Sequence, residues 1–200
     1  MDNNAMHKIS YGLYILSVQE GNKDNGCITN TVIQVTDIPK RISVCLSKQN
    51  YTTEMLLRTK KFNVSMLTTD TPFDTFKHFG YQSGRNIDKF DCPNPSRSAN
   101  GIIYASKYGN SYISADVYQT VDVGAHIMFL ADVVDAEVLS DKPSVTYDYY
   151  FKHIKPAPAK TEVKVGYRCK ICGYIYEGEP LPEDFICPIC KHGAEDFEKL

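Results

Sequence analysis

Residues 13–36 read Leu13-Tyr-Ile-Leu-Ser-Val-Gln-Glu-Gly-Asn-Lys-Asp-Asn-Gly-Cys-Ile-Thr-Asn-Thr-Val-Ile-Gln-Val-Thr36. Two runs rich in β-branched and aromatic residues flank a polar cluster of Gly, Asn and Asp. Such runs read as strands, and the cluster is turn chemistry. The cluster ends in Asn25-Gly26, a strong hairpin signal. Strands are therefore predicted over 13–19 and 27–36, with the turn between them. Similar runs continue at 41–47, 62–67, 102–107, 111–123 and 126–139. Helices are few: 51–60, and 71–79 after a Thr-Pro start. Many strands, short turns and two helices predict a mainly β fold, an antiparallel barrel.

Outward from this stretch, the composition sets bounds. The chain has 200 residues and a formal net charge of −2. That charge excludes a generally basic nucleic-acid binder. No apolar run approaches the roughly 18 residues of a membrane span. The start, MDNNAMHKIS, lacks the basic-then-apolar plan of an export signal. A cytoplasmic protein is expected, with neither nucleic acid nor membrane as partner.

Seven cysteines are unevenly placed. Four of them form two C-x-x-C pairs near the end, Cys169-Lys-Ile-Cys172 and Cys187-Pro-Ile-Cys190. A disulfide framework is disfavoured by the odd count and the missing export signal. Each short loop delivers two thiolates to one ion, so a tetrahedral metal site is predicted on Cys169, Cys172, Cys187 and Cys190. Such a site accepts iron or zinc. Cys45, mid-strand among apolar residues, reads as a buried small hydrophobe. Cys92 reads as a loop thiol. None of Cys27, Cys45 and Cys92 has a neighbouring basic pattern that marks a nucleophile.

Charge divides the chain at the same place. From residue 166 onward four basic residues face seven acidic ones, a net −3, whereas the first 165 residues hold 18 basic and 17 acidic, a net +1. Between them runs Lys155-Pro-Ala-Pro-Ala-Lys-Thr-Glu-Val-Lys164, a polar, semi-extended composition. We read residues 1–154 as one domain, 155–165 as a linker and 166–200 as a small metal-bound domain.

No G-x-G-x-x-G or P-loop pattern is present, so a Rossmann or P-loop nucleotide site is not expected. Two local features suggest binding instead. Ser47-Lys-Gln-Asn-Tyr-Thr-Thr53 lies directly before a helix, where Asn50 or Thr52 can cap and free N–H groups attract a phosphate. The plain alternative is an ordinary capped helix. Asn25-Gly-Cys-Ile-Thr-Asn-Thr31 sets small and amide side chains where a flat polar ligand can approach.

Residues 10–150 resemble the flavin reductase-like, FMN-binding split-barrel family. The resemblance is carried by Asn25–Thr31, by Ser47–Thr52, by Phe62-Asn-Val-Ser, by Ser83-Gly-Arg-Asn-Ile-Asp-Lys-Phe90 and by Gly124-Ala-His126-Ile-Met-Phe. It implies an antiparallel Greek-key split β-barrel that forms a homodimer and holds FMN. It places Asn25, Cys27, Thr29, Asn30 and Thr31 along the isoalloxazine. Ser47, Lys48, Asn50 and Thr52 fall on the phosphate, and Ser83, Gly84 and Arg85 close over the flavin. His126 takes the place of a histidine near flavin and nicotinamide. The family's usual Gly-Asp-His is Gly-Ala-His here, and a strand-start histidine with local partners is the equal alternative.

Residues 167–200 resemble rubredoxin. Tyr167-Arg-Cys-Lys-Ile-Cys-Gly-Tyr-Ile-Tyr176 and Leu181-Pro-Glu-Asp-Phe-Ile-Cys-Pro-Ile-Cys190 are its two knuckles. The resemblance implies one iron, with zinc as a possible substitute. Tyr167, Tyr174, Tyr176, Phe185 and Phe197 would be its aromatic core. Lys191 departs from the pattern, standing where Gly is usual.

The fusion resembles high-molecular-weight rubredoxins. It implies electron transfer from NAD(P)H or a reductase through FMN and iron to an acceptor such as a flavodiiron protein. The acidic tail would dock on a basic patch of that acceptor. Two other readings stand beside it: a two-component reductase that releases reduced FMN, and a zinc-stabilised flavin-binding interaction module.

Overall fold

The structure, a computed structural model, describes residues 2–156 and 166–200. The chain divides into two compact units, Met1–Lys155 and Pro156–Leu200. Of the expected linker, residues 157–165 lie outside the described residues.

The first unit is a seven-stranded antiparallel sheet. Its strands are β1 (Tyr14–Glu20), β2 (Lys23–Thr29), β3 (Val32–Thr36), β4 (Arg41–Ser47), β5 (Lys61–Leu67), β6 (Gly109–Asp122) and β7 (His126–Val138). Helix α1 (Tyr51–Thr59) joins β4 to β5, and α2 (Phe73–Gly80) follows β5. The sheet order is β2-β1-β5-β6-β7-β4-β3. Its two edge strands, β2 and β3, are consecutive in the chain and only Asn30 and Thr31 separate them. That short link forces the sheet edges together at one corner, so the sheet curls into the expected barrel with a split.

The hairpin turn lies earlier than the sequence suggested. Glu20 pairs with Lys23, leaving Gly21 and Asn22 as a two-residue turn. Gly21 supplies the positive φ that this turn needs, at +58°. Asn25 and Gly26 are interior positions of β2, opposite Val18 and Ser17. The run expected as one strand over 27–36 is broken by the bend at Asn30.

The strand expected over 102–107 does not form. That segment makes only an isolated bridge, Arg97 to Ile103. Several of its backbone groups are taken by buried side chains instead. Asn63 Nδ2 donates to the Ile102 carbonyl at 2.8 Å, Ser17 Oγ to the Ile103 carbonyl at 2.5 Å, and Ser65 Oγ accepts from the Ala105 N–H at 2.9 Å. Side chains that bond the backbone in this way compete with a strand ladder.

Two apolar clusters hold the unit. Leu16, Val18, Val44, Phe62, Val64 and Phe129 fill the barrel with Met55 and Leu56 of α1. Leu13, Ile15, Leu67, Phe76, Val145 and Tyr150 pack on the opposite face, beneath α2. Strand β1 is thus buried on both faces over Ile15–Val18, where three of its four residues are apolar. Cys45 faces neither cluster fully. It is half-buried rather than buried as expected.

The second unit is a three-stranded sheet, with β8 (Tyr167–Cys169) between β10 (Phe197–Lys199) and β9 (Ile175–Tyr176). Phe185 sits at its centre, 4.7 Å from the ring of Tyr176 and 5.3 Å from that of Phe197. So small a core needs a further source of stability, and the cysteines provide its candidate.

Candidate functional site

The four C-terminal cysteines converge. All four Sγ atoms lie within 4.8 Å of one another. Cys169 and Cys190 are 3.5 Å apart, and Cys172 and Cys187 3.4 Å, so none is joined as a disulfide. Four sulfurs about 2.3 Å from one ion are about 3.8 Å from each other, and this cage is close to that size.

Two matching turns build the cage. In the first, the Gly173 N–H donates to the Cys169 carbonyl and the Cys169 N–H to that of Tyr174, at 2.9 and 2.8 Å. In the second, the Lys191 N–H donates to the Cys187 carbonyl and the Cys187 N–H to that of His192, at 3.0 and 2.8 Å. The N–H groups of Tyr174 and His192 turn toward the sulfurs of Cys172 and Cys190. Burial still pushes the Cys172 thiol up to about 11 and raises that of Cys190. Burial also opposes ionisation of Cys187, but N–H bonds from Cys190 and Ile189 hold its thiol below the usual range. Such a cluster of two buried and two half-buried thiols is favoured by a cation that replaces their protons. The residues therefore fit a tetrathiolate metal.

In the barrel, several of the expected ligand residues gather at the start of α1. Asn50 caps the helix by accepting from the Thr52 N–H at 3.0 Å. Asn25 Nδ2 donates to Thr52 Oγ1 at 3.1 Å. Cys27 lies against the same Thr52 and Asn50, and burial pushes its thiol up to about 11. Gly84 closes on Asn25: a Cβ at 84 would stand 2.0 Å from Asn25 Oδ1. That oxygen is buried and has no hydrogen-bond partner among the described residues. Arg85 reaches across α1, its guanidinium 4.4 Å from the centre of the Tyr51 ring and bonded to Glu54. Ser83 accepts from the Arg85 N–H at 3.2 Å.

The other expected residues sit nearby or apart. Ser47 ends β4, directly opposite His126 at the start of β7, so the ladder brings these two together. His126 is exposed. Lys48 points to Asp122, at 2.7 Å. Thr29 and Thr31 meet at the Cys45 carbonyl, at 3.4 and 2.7 Å, with the half-buried Asn30 between them in the bend. A cavity of about 380 Å³ opens between the β1–β2 turn, at Asn22 and Lys23, and the segment from Gly84 to Phe90. Its volume is that of a small-molecule site.

The sequence reading missed Lys89. It is only 3% exposed, and its ammonium lies close enough to Cys27 for each to affect the other's titration. Cys27 thus does have a cationic neighbour, although burial keeps it a thiol. Lys89 stands inside the Ser83–Phe90 motif, but a single lysine there carries no local pattern.

Comparison with known proteins places both units. The flavin reductase like domain matches residues 6–158, and the rubredoxin-like domain of rubrerythrins matches 167–198. The high molecular weight rubredoxin of Moorella thermoacetica is 36% identical over the full length of both chains. The ferric-chelate reductase (NAD(P)H) of Archaeoglobus fulgidus is 38% identical over 75% of this chain and 89% of its own. An FMN-binding protein from Thermus thermophilus shares the barrel fold, with a TM-score of 0.64 and 20% identity over 70% of this chain and 83% of that one. The chain belongs to the flavin reductase-like family of oxidoreductases and electron carriers, and it ends in a rubredoxin-like domain with a four-cysteine metal site.

Proposed function

We propose that the chain is an electron-transfer flavo-rubredoxin. It carries electrons from NAD(P)H or a partner reductase through FMN to a rubredoxin iron, and on to an acceptor such as a flavodiiron NO/O2 reductase. FMN, when bound, accepts electrons in pairs and releases them singly, and the iron takes them one at a time. The observation that carries this reading is the four-sulfur cage on the same chain as a flavin reductase-like barrel.

The residues have distinct parts in it. Asn25, Cys27, Asn50, Thr52 and Gly84 form the polar wall against which FMN would lie. Thr29, Asn30 and Thr31 extend that wall along the corner between β2 and β3. Ser47, Lys48, Ser83 and Arg85 surround it with hydroxyl and cationic donors, and His126 would be the catalytic residue beside flavin and nicotinamide. Lys48 and Arg85 must give up Asp122 and Glu54 in part to meet a phosphate. Cys169, Cys172, Cys187 and Cys190 would hold iron, and the aromatic rings around Phe185 keep water from it.

The barrel would form the homodimer. The edge strand β3 supports this, because it leaves Ile33 and Val35 63% and 47% exposed. The excess of acidic residues after position 166 supports docking on a basic acceptor. Among the described residues no helix is long and apolar enough to cross a membrane.

A stepwise reductant titration followed by absorption tests the reading. Bleaching of both a flavin band and a ferric tetrathiolate band is expected. Colourless, zinc-loaded protein would overturn it in favour of a structural zinc module. Rapid loss of flavin with no iron signal would favour a reductase that releases reduced FMN.

A further inference from the structure

The last carbonyls of a helix have no partner inside it. In α2 the Lys77 carbonyl accepts from the Tyr81 N–H at 3.0 Å. The next two, those of His78 and Phe79, accept from Lys89 Nζ at 2.6 and 3.2 Å. The contact is returned, since His78 Nε2 lies 3.0 Å from the Lys89 carbonyl. Lys89 is thus a helix cap delivered from nine residues beyond the helix, placing a cation at the negative end of the α2 dipole.

Packing alone does not account for a lysine here. A methionine of similar length would fill the space without removing an ammonium from water. What lysine adds is two directed bonds, and they close the chain between Gly80 and Lys89 into a loop. Gly84, within that loop, rests on Asn25 Oδ1. Phe90, the next residue after the cap, lies on β2, where a Cβ on Gly26 would meet its ring at 3.0 Å. Gly84 and Phe90 both line the cavity.

We propose that Lys89 is a positioning residue of the flavin site, capping α2 so that the 81–90 loop holds Gly84 and Phe90 at the height that completes the cavity wall against β2. The proposal rests on the FMN site proposed above, of which Gly84 and Arg85 line this cavity. It assigns no chemical step to Lys89. It makes FMN affinity depend on a residue that does not itself line the cavity.

The full-length protein, K89M and K89R are compared, each at a temperature where it keeps its native far-UV spectrum. Amide hydrogen exchange of residues 81–90 is measured without FMN, and FMN is then titrated by fluorescence quenching. In K89M, exchange in 81–90 is expected to speed up at least tenfold and FMN affinity to fall at least tenfold. K89R keeps the charge and the donors and is expected to restore much of both. Unchanged exchange in K89M overturns the latch, and faster exchange with wild-type FMN affinity overturns its link to the site. Wild-type protein that binds no FMN refutes the flavin reading instead, and the exchange data still decide the latch. If K89M fails to fold, K89Q is read by the same two measurements.

Discussion

Gly173 and Lys191 occupy the same place in the two turns that hold the sulfur cage, and both are left-handed, with φ of +81° and +63°. Only glycine adopts that conformation freely. Any other residue brings its Cβ toward the following carbonyl, at about 1 kcal/mol. Lys191→Gly is therefore expected to stabilise the metal-loaded C-terminal unit by about 1 kcal/mol. Gly173→Ala is expected to destabilise it by a similar amount. Thermal unfolding followed through the metal's own absorption measures both. A drop in stability for Lys191→Gly would show that contacts of the lysine side chain outweigh the strain.

The cage itself gives a second expectation. Cys169 is buried in β8 and its Sγ faces that of Cys190, so it cannot be replaced by a neighbouring ligand. Cys169→Ser should reduce bound metal from one ion per chain to a small fraction of that. The C-terminal unit, which has few other core residues, should lose its fixed aromatic packing. The barrel should keep its melting transition and its FMN. Metal analysis, near-UV circular dichroism and a flavin spectrum on one sample read all three. Retention of a full metal complement would reject the four-sulfur site.

The cage and the barrel were not equally legible in the sequence. The cage rests on two short turns, so spacing along the chain is nearly spacing in space, and Cys169, Cys172, Cys187 and Cys190 could be named together. Strand runs such as 41–47 and 62–67 were visible because apolar residues (Ile42, Val44, Leu46; Phe62, Val64, Met66) recur at every second position, the period of a strand. The turn was misplaced by a few residues because Asn25-Gly26 and Gly21-Asn22 both carry turn chemistry. Only pairing across β1 and β2 decides between them. The run at 102–107 looked like a strand because apolar side chains such as Ile102 and Ile103 are buried, while much of its backbone bonding goes to Asn63, Ser17 and Ser65, far away in sequence, and the rest to the nearby Ser96 and Ser98. Lys89 was invisible for the same reason, since its partners are carbonyls at the end of a helix.

Gly84 and Asn25 give a third test. An alanine methyl at 84 would overlap Asn25 Oδ1, and neither β2 nor the buried amide has room to move. Gly84→Ala is expected to cost about 1–3 kcal/mol of barrel stability, as overpacking does. It should also weaken FMN binding. Asn25→Ala alone loses the bond to Thr52, about 1 kcal/mol. In the double variant the methyl occupies the space the amide has left, so the two costs should fall short of additive by at least about 0.5 kcal/mol. Strict additivity in denaturant unfolding would mean that the loop does not rest on Asn25.

Lys89 and Cys27 make opposite contributions to the pH dependence of stability. Burial lowers the Lys89 ammonium from its usual 10.5 to about 8. Between those values the unfolded chain binds more protons than the folded one, so stability from Lys89 rises with pH across that window. Burial raises the Cys27 thiol from 9 to about 11, so between those values the folded chain binds more protons and stability from Cys27 falls as pH rises. From about pH 8 to 9 the lysine acts alone and barrel stability should climb; above 9 the Cys27 and Cys45 thiols offset it and the curve should flatten, and above 10 the buried phenols of Tyr14, Tyr112 and Tyr150, also raised by burial, turn it downward. Neutral Lys89 still carries N–H donors, so the cap on α2 survives the loss of charge. Cys27→Ala should raise stability at pH 9.5 relative to pH 8.5 more than in the wild type, until the phenols take over above pH 10, and K89M should remove the climb and leave only the decline. Denaturant unfolding of the barrel at pH 7.5, 8.5, 9.5 and 10.5 separates these curves, and a wild-type barrel that loses stability between pH 8 and 9 would contradict the burial of a charged Lys89.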